Sequence, residues 1–109
     1  MNMGLSNSED AKLLTLATSS LQRNTAKQSA ALRDGTGRTH VGNSINLTSL
    51  QLDALQVALA MALSSGADQI EAAVVVGENV SKDAVANVRE ISAKALIWYA
   101  HEDGTLQAL

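Results

Sequence analysis

The two histidines, His40 and His101, and three carboxylates beside helical segments, Asp53, Glu78 and Asp83, are the groups here that could hold a metal ion or move a proton. A zinc centre needs several converging N, S or O ligands, each held by partners of its own. Neither histidine has a second one at ligand spacing, so each is expected in an exposed, structural role. There is no cysteine, which removes disulfides, thiolate nucleophiles and thiolate metal sites. Asp53 opens the apolar stretch DALQVALAMALSSG. An acid in the first turn of a helix is favoured by about 0.3–1 kcal/mol through the helix dipole, which is a sufficient structural reason for it. The competing reading is a place in a pocket. Ser44 and Asn46, where a strand hands over to a helix, carry the same two readings.

These groups need elements to position them, and the sequence proposes seven. A first helix is expected over residues 9–23, with Leu13, Leu16, Ala17 and Leu21 forming one apolar face. Ser6 and Glu9 have capping-box spacing, with Ser8 as the alternative cap. Short strands over 29–32 and 38–45 are joined through Arg33-Asp34-Gly35-Thr36-Gly37, a hairpin signal. Within the second strand, Gly42 marks a bulge or a close backbone approach. Thr48 and Gln51 again have capping-box spacing, which predicts a second helix over 48–66. From residue 57 to 63 that helix is apolar on every side, and such a helix must be covered on every side, by the domain or by another subunit. IEAAVVV (residues 70–76) reads as a strand buried on both faces. Ser81 caps a third helix with Val85, Val88 and Ile91, and ALIWY (95–99) is a strand parallel to the previous one. A turn at 101–104 leaves TLQAL as a short terminal segment. The order α-β-β-α-β-α-β predicts a three-layer α/β/α fold with a mixed sheet, one domain over residues 1–109.

Composition narrows the function. The net charge of −3 lacks the basic footprint of a nucleic-acid binder. Arg23, Lys27, Arg33 and Arg38 cluster near the first hairpin and are expected to be solvated. No apolar run is long enough to span a bilayer, and residues 1–12 lack a signal-peptide pattern, so no membrane partner and a cytoplasmic location are expected. Aromatic residues are 2% of the chain, with no phenylalanine, so a nucleobase would have to stack on Trp98 or Tyr99.

The order of elements and the residues at their joints resemble the cytidine deaminase family over residues 28–106. Gly42-Asn43-Ser44-Ile45-Asn46 stands where that family has G-x-N-[VI]-E. Asp53-Ala54-Leu55-Gln56-Val57-Ala58 stands where it has C-A-E-R-x-A. Residues 70–77 match its central parallel strand, and Asp103-Gly104-Thr105 has a counterpart. The family's chemistry uses a zinc ion held by a Cys or His at the head of the second helix and by a P-C-x-x-C motif at the head of the third. A glutamate shuttles protons for the metal-bound water. Here the first ligand position holds Asp53, the glutamate position holds Leu55, and the second motif falls on KDAVANV (82–88), which has no thiol. Ser44 and Asn46 replace the asparagine and glutamate that bind the ribose.

The resemblance therefore implies the family's fold without its zinc-dependent activity. The expected function is a non-catalytic structural or interaction protein without a cofactor, a homo-oligomer (dimer or tetramer) built through helix 48–66. The alternative is a nucleoside or small-molecule binder that keeps a metal-free pocket lined by Ser44, Asn46, Asp53 and Leu55. A lesser alternative is a divergent hydrolase with an unusual site.

Overall fold

A computed structural model describes residues 8–109. Ser6, one of the two caps weighed for the first helix, lies outside them. Helix α1 spans Ser8–Arg23, β1 Gln28–Asp34, β2 Thr39–Asn43, β3 Ile45–Asn46, β4 Gln51–Leu52 and α2 Ala54–Ser64. Strand β5 spans Ile70–Gly77, α3 Lys82–Ile91, β6 Leu96–Ala100 and β7 Leu106–Ala108. Five strands form one sheet in the order β2-β1-β5-β6-β7, and β3 pairs with β4 in a separate ribbon. Among the described residues only β5 and β6 run parallel, joined by the α3 crossover, as the strand–helix–strand pattern predicts.

The sheet divides the core in two. On one face Leu13 and Ala17 of α1 pack on Ala31, Ala72, Val74 and Val76. On the other, α2 and α3 pack Leu55, Ala58, Leu59, Ala62, Ala84 and Val88 against Ala30, Leu32, Ala73, Val75 and Ile97. Alternate residues of β1 and β5 therefore feed opposite layers, which is why residues 70–76 read as continuously apolar. The three-layer α/β/α expectation holds. Alanine is the commonest core residue facing α2, and it brings helix and sheet close together. At Gly42 an added Cβ would stand 2.6 Å from the Ala58 backbone nitrogen, so glycine here marks a close approach and not a bulge.

Three local expectations change. The helix does not start at Thr48. Residues 45–52 form the β3–β4 ribbon, closed by Leu47 N donating to Leu50 O (2.8 Å), and α2 begins after Asp53. The Asp53–Gln56 pair has the same capping spacing as Thr48–Gln51, and it wins because residues 45–46 find strand partners in 51–52. Second, the domain by itself covers α2 on one side only. Met61 and Leu63 stay 44% and 38% exposed, beside exposed Ala60. Third, Arg33 is not solvated. It reaches Asp10 of α1 and Glu71 of β5, both at 2.8 Å, and so ties α1 to the sheet. No helix among the described residues is long and apolar enough to cross a membrane.

Candidate functional site

Two helix starts and the turn that ends β5 shape a cavity of about 710 Å³ beside the first turns of α2 and α3. Gly77 ends β5 with φ +96°, and a side chain there would collide with the Lys27 carbonyl. The turn it makes lets Glu78 N donate to Lys27 O (3.0 Å) and directs residues 78 and 79 along the rim. The hydroxyl of Tyr99, from β6, donates to the Gly77 carbonyl and fixes the turn from below.

Gln28, at the start of β1, is the hub of this end. Its Oε1 accepts from Ala54 N, the first amide of α2 (2.7 Å). Its Nε2 donates to the carbonyls of Glu78 (2.9 Å) and Asn79 (3.1 Å). The side chain is buried, and it satisfies three backbone groups that helix ends and turns otherwise leave unpaired. Asp53 is the N-cap of α2, and Gln56 Oε1 accepts from its amide (3.0 Å). Its own carboxylate reaches across to α3, where Oδ2 accepts from Ser81 N (2.7 Å). Ser81 in turn caps α3 through Oγ, which accepts from Ala84 N (3.1 Å). Gln56 Nε2 adds a second tie between the helices by donating to Asn87 Oδ1 (2.9 Å).

Three of the four candidate residues, Ser44, Asn46 and Asp53, line the cavity. Leu55 does not. It is fully buried in the core between α2 and the sheet, so the position that resembles the proton shuttle points away from the cavity. Sequence reasoning missed Gln28, Gln51, Gln56 and Asn79, a run of amides along the lining. Gln28 carried one usable signal, a polar residue immediately ahead of an apolar strand. Its partners, up to 51 residues away, carried none. The lining also holds Glu78 and Asp83, so three carboxylates face one cation, Lys27. The cavity is therefore hostile to anions such as phosphate and suited to neutral, donor-rich groups. Among the described residues no aromatic side chain lines it; Trp98 packs on the α1 layer and Tyr99 lies in the opposite core.

The donor set does not fit zinc. Asp53 is the cavity residue at the first ligand position of the resemblance, and its Oδ2 accepts from the Ser81 amide. The first turn of α3 offers Lys82 and Asp83, with no thiol and no imidazole. Both histidines are engaged elsewhere. His101 Nε2 meets Gln107 Oε1 (3.0 Å) on β7. His40 is not exposed as expected: its ring is nine-tenths buried, with Nε2 at 2.9 Å from Asp34 Oδ2 at the far end of β1. Among the described residues no three His, Cys, Asp or Glu side chains gather to hold a metal.

That far end holds the most perturbed acid of the chain. Asp34 is fully buried. Its Oδ1 accepts from Thr36 Oγ1 (2.7 Å), Thr36 N (2.9 Å) and Arg38 N (3.1 Å). The Thr36 hydroxyl is the main cause that holds the Asp34 carboxyl well below the usual carboxylate range; burial opposes it, and His40 and the two amides add to the depression.

The cytidine deaminase-like family model matches residues 6–104. Among solved structures, the chain is similar to cytidine deaminase from Burkholderia pseudomallei (TM-score 0.76, 21% identity, 91% of this chain and 90% of that one). It is also similar to the enzyme from Mycobacterium leprae (TM-score 0.71, 14% identity, 90% and 91%). A third is the Mycobacterium tuberculosis enzyme (TM-score 0.70, 20% identity, 80% and 81%). No curated protein sequence matches. Element order and a family match over nearly all of its length agree: this chain belongs to the cytidine deaminase-like family.

Proposed function

We propose that this chain is a non-catalytic member of its family, a cytoplasmic structural or interaction protein that assembles as a homo-oligomer. The observation that carries the reading is Leu55. A side chain that cannot take a proton stands where the resemblance puts the proton shuttle, and it is built into the core. Asp53 supports it, since a lone carboxylate with no thiolate beside it leaves zinc short of the ligands it needs. The assembly half of the proposal rests on Ala60, Met61 and Leu63, apolar residues left exposed on α2, the helix whose sequence asks for cover on every side.

A second reading, binding of a small neutral molecule, is favoured by the cavity and its amides. One sample separates them. Elemental analysis is expected to find no stoichiometric zinc, cytidine to release no ammonia, and light scattering to give a dimer or larger. Zinc together with ammonia release overturns the proposal in favour of a divergent hydrolase. A monomer at micromolar concentration removes the assembly half. A rise in Tm with cytidine or uridine, in the absence of turnover, selects the binding reading. Leu55→Glu, which restores the family's acid, is expected to destabilise the fold by about 4 kcal/mol without creating turnover, because the carboxyl enters an apolar core.

A further inference from the structure

We infer that Asp53 does here the mechanical work of a metal centre: its carboxylate is the staple that pins the start of α3 to the start of α2. The inference rests on the metal-free reading above. Two helices that begin side by side present unpaired amides and two positive dipole ends to one region. In the family pattern an ion and its thiolate ligands would occupy it. In this chain a single anion serves both helices. Asp53 is the N-cap of α2, and the same side chain takes the Ser81 amide at 2.7 Å. Ser81 is itself the N-cap of α3, with extended backbone (φ −77°, ψ 156°) that aims its N–H away from its own helix and towards Asp53. The two caps are thus bonded to each other, 28 residues apart in sequence.

This arrangement gives an acid at position 53 a role that an alanine or leucine could not fill. A carboxylate bonded to an amide is a charge-assisted link, stronger than a neutral one, and it sits where two dipoles favour negative charge. Gln28 and Gln56 brace the same joint from the strand and from the helix, so the joint is held from three sides without an ion.

The test is hydrogen exchange at the Ser81 amide. In the intact protein it is expected to be slow, and unchanged by EDTA or by excess Zn²⁺. In Asp53→Ala it is expected to exchange at least about tenfold faster, the loss of one charge-assisted bond. In Asp53→Asn, which keeps an acceptor oxygen but loses the charge, it is expected to fall between. Asp53→Asn carries the test if the alanine variant does not fold. Unchanged Ser81 exchange in either folded variant overturns the staple while leaving the metal-free reading intact. Faster exchange of the intact protein in EDTA overturns both, since a metal would then be holding the joint.

Discussion

Strand β1 carries a buried polar side chain at each end, and the two ends are built on opposite plans. At its C-terminal end Asp34 finds all its partners within six residues: Thr36, Arg38 and His40. At its N-terminal end Gln28 reaches Ala54, Glu78 and Asn79, which lie 26, 50 and 51 residues away. The Asp34 end is a closed knot inside one hairpin. The Gln28 end is an open joint where a strand, two helix starts and a turn meet around a cavity. A knot of local bonds can only stabilise its own hairpin, whereas a joint of distant segments makes a space whose shape depends on each of them.

Breaking the knot is expected to cost most. Asp34→Ala removes the acceptor for two amides, a hydroxyl and the His40 ring, all in a buried site. The expected loss is about 3 kcal/mol in chemical unfolding, larger than that for any cavity-lining residue. The acid also gives stability a pH dependence of definite sign. Its folded value lies below the ordinary 3.8, so its contribution is complete above that value and is lost as pH falls below it. Asp34→Asn should flatten the acid limb of the unfolding curve while leaving the limb above neutrality unchanged. An equally steep acid limb in the variant would mean that other carboxylates set it.

Breaking the joint is expected to cost less in stability and more in shape. Gln28→Ala leaves the Ala54 amide and two carbonyls without their partner, but the adjacent cavity lets water replace it in part. We expect a loss of about 2 kcal/mol, with faster hydrogen exchange at Ala54 and no change around Thr36 and Arg38. If the Asp34 hairpin loosens as well, the two ends of β1 are coupled and the contrast between them fails.

The same contrast explains what could be read from the sequence. The Asp-Gly-Thr-Gly hairpin is legible because its bonds are local; the burial of His40 and Arg33 is not, nor is the end of its second strand at Asn43, with Ile45 passed to the separate ribbon. The order of elements, the parallel β5–β6 pair and the Ser81 cap follow from periodicity and capping chemistry. The start of α2 was misplaced because Thr48–Gln51 and Asp53–Gln56 carry the same spacing. Only the pairing of Ile45 with Leu52 decides between them, a contact that no helical signal reports. Ser44, Asn46 and Asp53 were found at the cavity through the family pattern. Leu55 was placed there by position alone, although an apolar side chain has every reason to turn into the core. Gln28 was invisible because a buried glutamine declares itself only through partners that fold beside it.

The smallest expected effect sharpens the comparison from within the joint. Gln56 makes two bonds of different kinds: it accepts from the Asp53 amide inside its own helix cap, and it donates to Asn87 on α3. The Asn87 bond is exposed, so water replaces it at little cost, and Asn87→Ala is expected to cost no more than about 0.3 kcal/mol. The cap bond satisfies an amide at the head of α2, and Gln56→Ala is expected to cost about 0.7 kcal/mol. The two costs should nearly add in the double variant to the cost of Gln56→Ala alone plus a few tenths, because the exposed bond carries little coupling. A coupling above about 1 kcal/mol would instead make Gln56–Asn87 a second staple between the helices. Asp53 would then share the task of holding α3, and the exchange of the Ser81 amide in Asp53→Ala should accelerate further when Asn87 is also removed.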